Sequence, residues 1–185
     1  MEGCILGTKR STFQTNLDIP NITRDPLSLT NHNNRMMSID QIIKILDEFV
    51  PFSEDDPTNE NEKFLYGLME AWKRAENREK AIPSIFRLIE RYPHANLGSP
   101  GPLVHALETT KEYEGELHIS LIRKPAPLTL WMYNRLINAE KNPEIIKGHL
   151  ARLKLFAKHP LTDAETKKEA ENYINHQQRR LQSLH

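Results

Sequence analysis

From residue 37 onward, apolar positions recur three and four apart, the spacing that lines one face of an α-helix. Ile39, Ile42, Ile43, Leu46, Phe49 and Val50 make the first stripe, and Ser38 with Gln41 forms a capping-box pattern in front of it. Pro51 stops it, so the spacing predicts a helix from about Ser38 to Phe49. A second helix over about 60–76 carries Phe64, Leu65, Leu68, Met69 and Trp72. A third over about 79–92 carries Ile82, Ile85, Phe86 and Ile89, with Pro83 tolerated because it falls in the first turn. Leu103, Val104 and Leu107 predict a fourth helix that stops near Tyr113 or Gly115. Leu117, Ile119, Leu121 and Ile122 predict a short fifth, closed by Pro125 and Pro127. The sixth, about 127–139, spaces Leu128, Trp131, Met132, Arg135 and Leu136 helically. Asn142-Pro143 opens a seventh, running to about Lys158 with Ile145, Ile146, Leu150, Leu153 and Phe156. Thr162 and Glu165 predict a capping box for the last helix, whose thin stripe is Ala170, Tyr173, Ile174 and Leu181. No strand period of comparable quality occurs.

The two halves of this pattern meet at a connector, residues 96–105, where Gly98-Ser99-Pro100-Gly101-Pro102 forbids a continuous helix. The chain must turn there and restart, with Ser99 as the expected cap. Pro100 and Pro102 lack amide protons and no Gly-Lys-Ser/Thr follows, so the run is not a phosphate cradle. Short connections between helices imply an all-α fold: a compact stack of about seven to eight antiparallel helices arranged as helical hairpins, with a HEAT-like solenoid as an open variant. The expected hairpins are 60–92, 102–123 and 127–158, alike in layout but not in sequence. Residues 1–35 have neither period and are expected to be a disordered N-terminal extension, leaving 36–185 as a single helical domain. Met36 and Met37 would serve equally well as the biological start.

Charge changes this picture more than composition does. The 25 basic and 25 acidic residues cancel, which removes any global electrostatic pull toward nucleic acid. They do not cancel locally: residues 36–90 hold twelve acids against seven bases, and residues 141–185 five acids against nine. The front is acidic and the back basic. Much of the acidity lies in one link, with Glu54, Asp55, Asp56, Glu60 and Glu62 around Pro57. Cys4 is the single cysteine and has no intramolecular partner, which fits a reducing compartment. No apolar run reaches the roughly 18–20 residues that span a bilayer, and Met1 to Leu6 is too short for a signal peptide's apolar core, so a cytoplasmic location is expected with no membrane partner.

Candidate chemistry is sparse. His105 and Glu108 lie three apart and could share a metal, yet no second His or Cys pair accompanies them, and His105 is expected to pack inward. His94, His118, His149, His159 and His176 are expected on surfaces or helix ends. There is no Gly-x-Ser-x-Gly elbow, Cys/His pair or dinucleotide fingerprint, so neither enzyme activity nor a cofactor is expected. Lys147, Arg152, Lys154, Lys158, Lys167, Lys168, Arg179 and Arg180 are interleaved with Glu144, Asp163, Glu165, Glu169 and Glu171, a solvated face rather than a phosphate track. Trp72 and Trp131 belong to the core by spacing, and Tyr133, two residues beyond Trp131, is expected to be exposed as an interface anchor.

Three phrases carry a family likeness: Ile82-Pro83 opening a helix that ends in Arg91-Tyr92-Pro93, the 96–105 connector, and Pro125-Ala126-Pro127-Leu128-Thr129-Leu130-Trp131-Met132-Tyr133-Asn134-Arg135. Over about 37–177 the chain resembles the small all-helical immunity proteins of bacterial polymorphic and contact-dependent toxin systems. The resemblance implies a non-enzymatic inhibitor that binds its cognate toxin stoichiometrically in the producing cell's cytoplasm. It transfers no binding residue. Nuclease toxins are basic because they hold phosphates, so the acidic link is the expected partner surface: Glu54, Asp55, Asp56, Glu60 and Glu62, joined by Tyr133. The expected state is a monomer or weak dimer. Two other readings stay open at this point, a helical adaptor that holds a protein or peptide in an inter-helix groove and a metal-assisted hydrolase using His105 and Glu108.

Overall fold

The computed structural model describes residues 37–110 and 112–183; the expected N-terminal extension lies outside the described residues. Among the described residues there are eight α-helices and no strand. They are α1 (Ile39–Glu48), α2 (Glu60–Arg74), α3 (Ile82–Arg91, preceded by a 3-10 turn at Arg78–Ala81), α4 (Gly101–Leu107), α5 (Tyr113–Arg123), α6 (Pro127–Ala139), α7 (Pro143–Ala157) and α8 (Ala164–Ser183).

The caps explain most boundaries. Ser38 and Gln41 exchange the two capping-box hydrogen bonds at α1. The Asn142 side chain accepts from the Glu144 amide at α7. At α8 the cap lies one residue later than the sequence suggests: Asp163 accepts from the Thr166 amide at 2.8 Å, while the Thr162 hydroxyl donates to the Phe156 carbonyl. Ser99 caps nothing, because α4 enters through Pro100 and has no side-chain cap. That helix is also shorter than expected. It ends at Leu107, where Thr109 and Thr110 turn the chain by bonding the carbonyls of Ala106 and Leu107, and α5 begins at Tyr113.

The most extensive helix packing joins α7 to α8, α2 to α4, α3 to α5, α6 to α8 and α1 to α3. None of the three expected hairpin pairs is among them. Apolar stripes choose their partners by shape, and a short loop does not oblige the helices on either side to be the closest neighbours. The core is continuous: Trp72, Tyr133, Phe86, Leu65 and Leu88 are fully buried. Each such side chain stabilises the fold by about 1.5–3 kcal/mol relative to exposure. Ile119, Ile122 and Ile145, counted with the apolar stripes by spacing, are instead 50%, 68% and 47% exposed.

Polar side chains clamp the stack from inside. Glu90 on α3 is buried and accepts from Ser120 Oγ at 2.6 Å and Arg123 Nε at 2.7 Å on α5, while Lys124 donates to the Glu90 carbonyl. The Glu90 hydrogen bond raises the Arg123 pKa against the opposing effect of burial. On α8, Gln177 donates to Asn134 and Asn138 of α6, and Arg180 donates to the Ile137 and Glu140 carbonyls at the C-terminus of α6. Among the described residues no buried side-chain polar atom lacks a partner.

Candidate functional site

The acidic link between α1 and α2 has a defined shape, set by two buried polar residues. Asp56 is 1% exposed and stands at φ 39°, a left-handed conformation that aspartate tolerates better than most residues. Its carboxylate accepts from the Glu60 amide at 2.7 Å and the Asn61 amide at 2.9 Å, satisfying donors that α2 cannot pair internally. Asn59 holds the N-cap position without a side-chain bond, so Asp56 caps the helix from three residues further back. Asn61, fully buried, makes three bonds to two segments. It accepts from the Phe52 amide at 2.8 Å and donates to the Ser53 carbonyl at 2.8 Å and the Asn96 carbonyl at 3.1 Å. The Asn96 amide returns a bond to the Glu54 carbonyl at 2.8 Å.

These bonds fasten the link to the 96–105 connector, and the remaining carboxylates project from it. Glu54, Asp55 and Glu60 are exposed and Glu62 is half-buried. None of the four forms an ion pair among the described residues, whereas Asp47, Glu48, Glu70 and Glu108 are paired with Arg87, Lys44, Lys73 and Arg135. Glu60 and Glu62 also sit in the first turn of α2, where the helix dipole favours negative charge.

Two of the sequence-predicted partner residues are corrected here. Asp56 is enclosed and committed to two backbone amides, so it shapes the edge and presents no charge to a partner. Tyr133 is fully buried. The two-residue step from Trp131 would expose it on a helix buried along one stripe, but α6 is enclosed on several sides, with Thr129, Leu130, Met132, Asn134 and Ile137 also buried. The Tyr133 ring meets His118, His149 and Phe156 edge-on at centroid distances of 5.4, 5.4 and 5.5 Å, and its hydroxyl lies 2.7 Å from His149 Nδ1. Burial raises the Tyr133 pKa, and burial followed by the nearby Arg152 and His118 charges lowers that of His149. His149 is thus a half-buried packing residue and not a surface one.

His105 faces outward, contrary to the inward packing expected of it, and Glu108 is bound to Arg135 at 3.2 Å. Among the described residues no three His, Cys, Asp or Glu side chains converge on a point that would hold a metal. No helix among them is long and apolar enough to cross a membrane. Sequence reasoning missed Asn61 and the Glu90 clamp. An asparagine in the first turn of an otherwise amphipathic helix is the one local signal that Asn61 offers. The chain matches no family model, no curated protein and no solved structure.

Proposed function

We propose that this protein is a non-enzymatic immunity protein that binds and neutralises a cognate protein toxin in the cytoplasm of the bacterium that makes it. The observation that carries this reading is the fixed acidic edge, in which Asp56 and Asn61 hold the link while Glu54, Asp55, Glu60 and Glu62 form no ion pair among the described residues. A charged loop that is already ordered loses little entropy on binding, and unpaired carboxylates on it steer a basic partner. A nuclease toxin domain has the matching charge, since it must hold phosphates. The likeness to immunity proteins at Ile82-Pro83, Arg91-Tyr92-Pro93 and Pro125 to Arg135 supports the same class.

Co-expression with the product of the adjacent gene tests the proposal. Growth of the host is expected to be rescued by the wild-type chain and lost with Glu54→Lys, Asp55→Lys and Glu60→Lys combined. Rescue by neither protein, with both folded and expressed, would remove the immunity reading.

A further inference from the structure

Next to the acidic edge, on the other side of the connector, lies a cavity of about 150 Å³ between the C-terminal end of α3 and the start of α6. Its walls are mostly apolar and include Tyr92, Leu97, Leu128 and Trp131, and its one charged wall residue is Glu169 of α8. Gly98 joins the two features. It lines the cavity, and a Cβ added there would stand 3.3 Å from the Glu62 carboxylate. It would also stand 2.7 Å from the Gly101 backbone, and Gly98 has φ +87°, so no larger residue fits between the cavity and the edge.

Size decides what class of ligand fits. Cofactor and metabolite sites occupy roughly 300–1,000 Å³, well above this cavity. An apolar cavity of about 150 Å³ holds a benzene ring, the bulk of a single side chain. Tyr92 and Trp131 supply ring edges and faces for an aromatic guest. The rim is acidic on the connector side, where Glu62 stands beside Gly98 and Asn96 bonds the Glu54 backbone, while Glu169 on the opposite wall accepts from the Tyr173 hydroxyl. A pocket for one anchor beside a charged rim is the usual anatomy of a protein interface centre.

We propose that this cavity receives one phenyl-sized side chain from a basic protein partner, whose flanking lysines or arginines lie on the acidic edge. The inference rests on the binding role argued above and names the chemistry of the partner's contact segment.

The test uses the full chain and short peptides, so that it does not depend on knowing the toxin. Amide and indole resonances are followed by NMR while the peptides KKFKK, KKAKK and EEFEE are added. KKFKK is expected to shift Leu97, Gly98 and the Trp131 indole and to bind at least fivefold tighter than either of the others. Ala95→Leu, which adds bulk at a half-buried wall position, is expected to abolish the preference for KKFKK over KKAKK while leaving the circular dichroism spectrum unchanged. Leu128→Ala, which enlarges the cavity without adding bulk, is expected to weaken KKFKK binding and keep the charge preference. Equal binding of KKFKK and KKAKK, equal binding of KKFKK and EEFEE, or a preference that survives Ala95→Leu would each overturn the proposal. So would a dimer that Ala95→Leu dissolves, or displacement of resonances from Phe13, Leu17 and Ile19 by KKFKK, since either assigns the cavity to this chain itself. A clear preference for KKFKK without growth rescue keeps the cavity and removes the immunity reading; rescue without that preference does the reverse.

Discussion

The exposed carboxylates of the α1–α2 link and the acids around α7 and α8 are used in opposite ways. At the front, Glu54, Asp55, Glu60 and Glu62 stand on a link whose geometry is set by two other residues, Asp56 and Asn61. At the back, the acids themselves hold the structure. Asp163 caps α8 and bonds His94 at 2.9 Å, Glu165 lies 3.5 Å from the same ring, Glu144 pairs with Lys147, and Glu169 accepts from Tyr173. Isolated surface pairs contribute little stability, about 0–1 kcal/mol each, so the back gains orientation more than energy from them. The difference teaches that an acidic surface is informative about binding only when its charges are not already engaged within the fold.

The sharpest way to break this contrast is to remove its scaffold. Asn61→Ala would remove three part-buried hydrogen bonds, to the Phe52 amide and to the Ser53 and Asn96 carbonyls. At about 0.5–1.5 kcal/mol for each lost hydrogen bond, a loss of about 2–3 kcal/mol is expected by urea unfolding, together with faster amide exchange in the link. A loss under 1 kcal/mol would mean that the link is not pinned. The matching change at the back, Gln177→Ala, removes bonds to Asn134 and Asn138 and is expected to cost about 1–2 kcal/mol with no change in partner affinity.

A smaller effect separates the two halves by pH. Partial burial pushes the Asp163 carboxyl up, but the Thr166 amide, the His94 ring and the Thr166 hydroxyl outweigh it and hold it at about 2, below its ordinary 3.8. Because the folded value is the lower one, the stabilisation is full above the unfolded value and disappears as pH falls toward about 2. Asp163→Asn keeps a capping oxygen, so its deficit isolates the charge. After allowing for solvent screening of this exposed pair, about 1 kcal/mol is expected at pH 6, shrinking as the pH approaches 2. A deficit independent of pH would contradict the assignment. The smallest effect on stability belongs to Glu54→Lys, Asp55→Lys and Glu60→Lys together: below about 1 kcal/mol, chiefly from a cation in the first turn of α2. A larger loss would show that these acids support the fold.

The helices were legible because each has a 3.6-residue stripe and most have proline or a capping side chain at a boundary, as at Ser38, Pro83 and Asn142. What periodicity does not hold is which stripe meets which, and so α2 packs most extensively on α4 and α3 on α5 against the simpler hairpin order. The same gap accounts for Tyr133: a step of two residues from Trp131 leads out of the core on a helix with one buried stripe, but α6 is enclosed on several sides. The acidic edge was visible as composition. Its stiffness was not, because Asn61 closes it by a bond to Asn96, 35 residues away. The cavity beside it likewise needs α3, α6 and α8 brought together, which no local pattern encodes.

The most direct test of the central claim, that the edge is a binding surface, is the salt dependence of affinity for the adjacent gene's product, measured by calorimetry. Wild-type affinity is expected to fall about tenfold or more between 50 and 300 mM salt. The triple lysine variant should start weaker and show little of that slope. Equal affinity and equal slope in the two proteins would contradict the account.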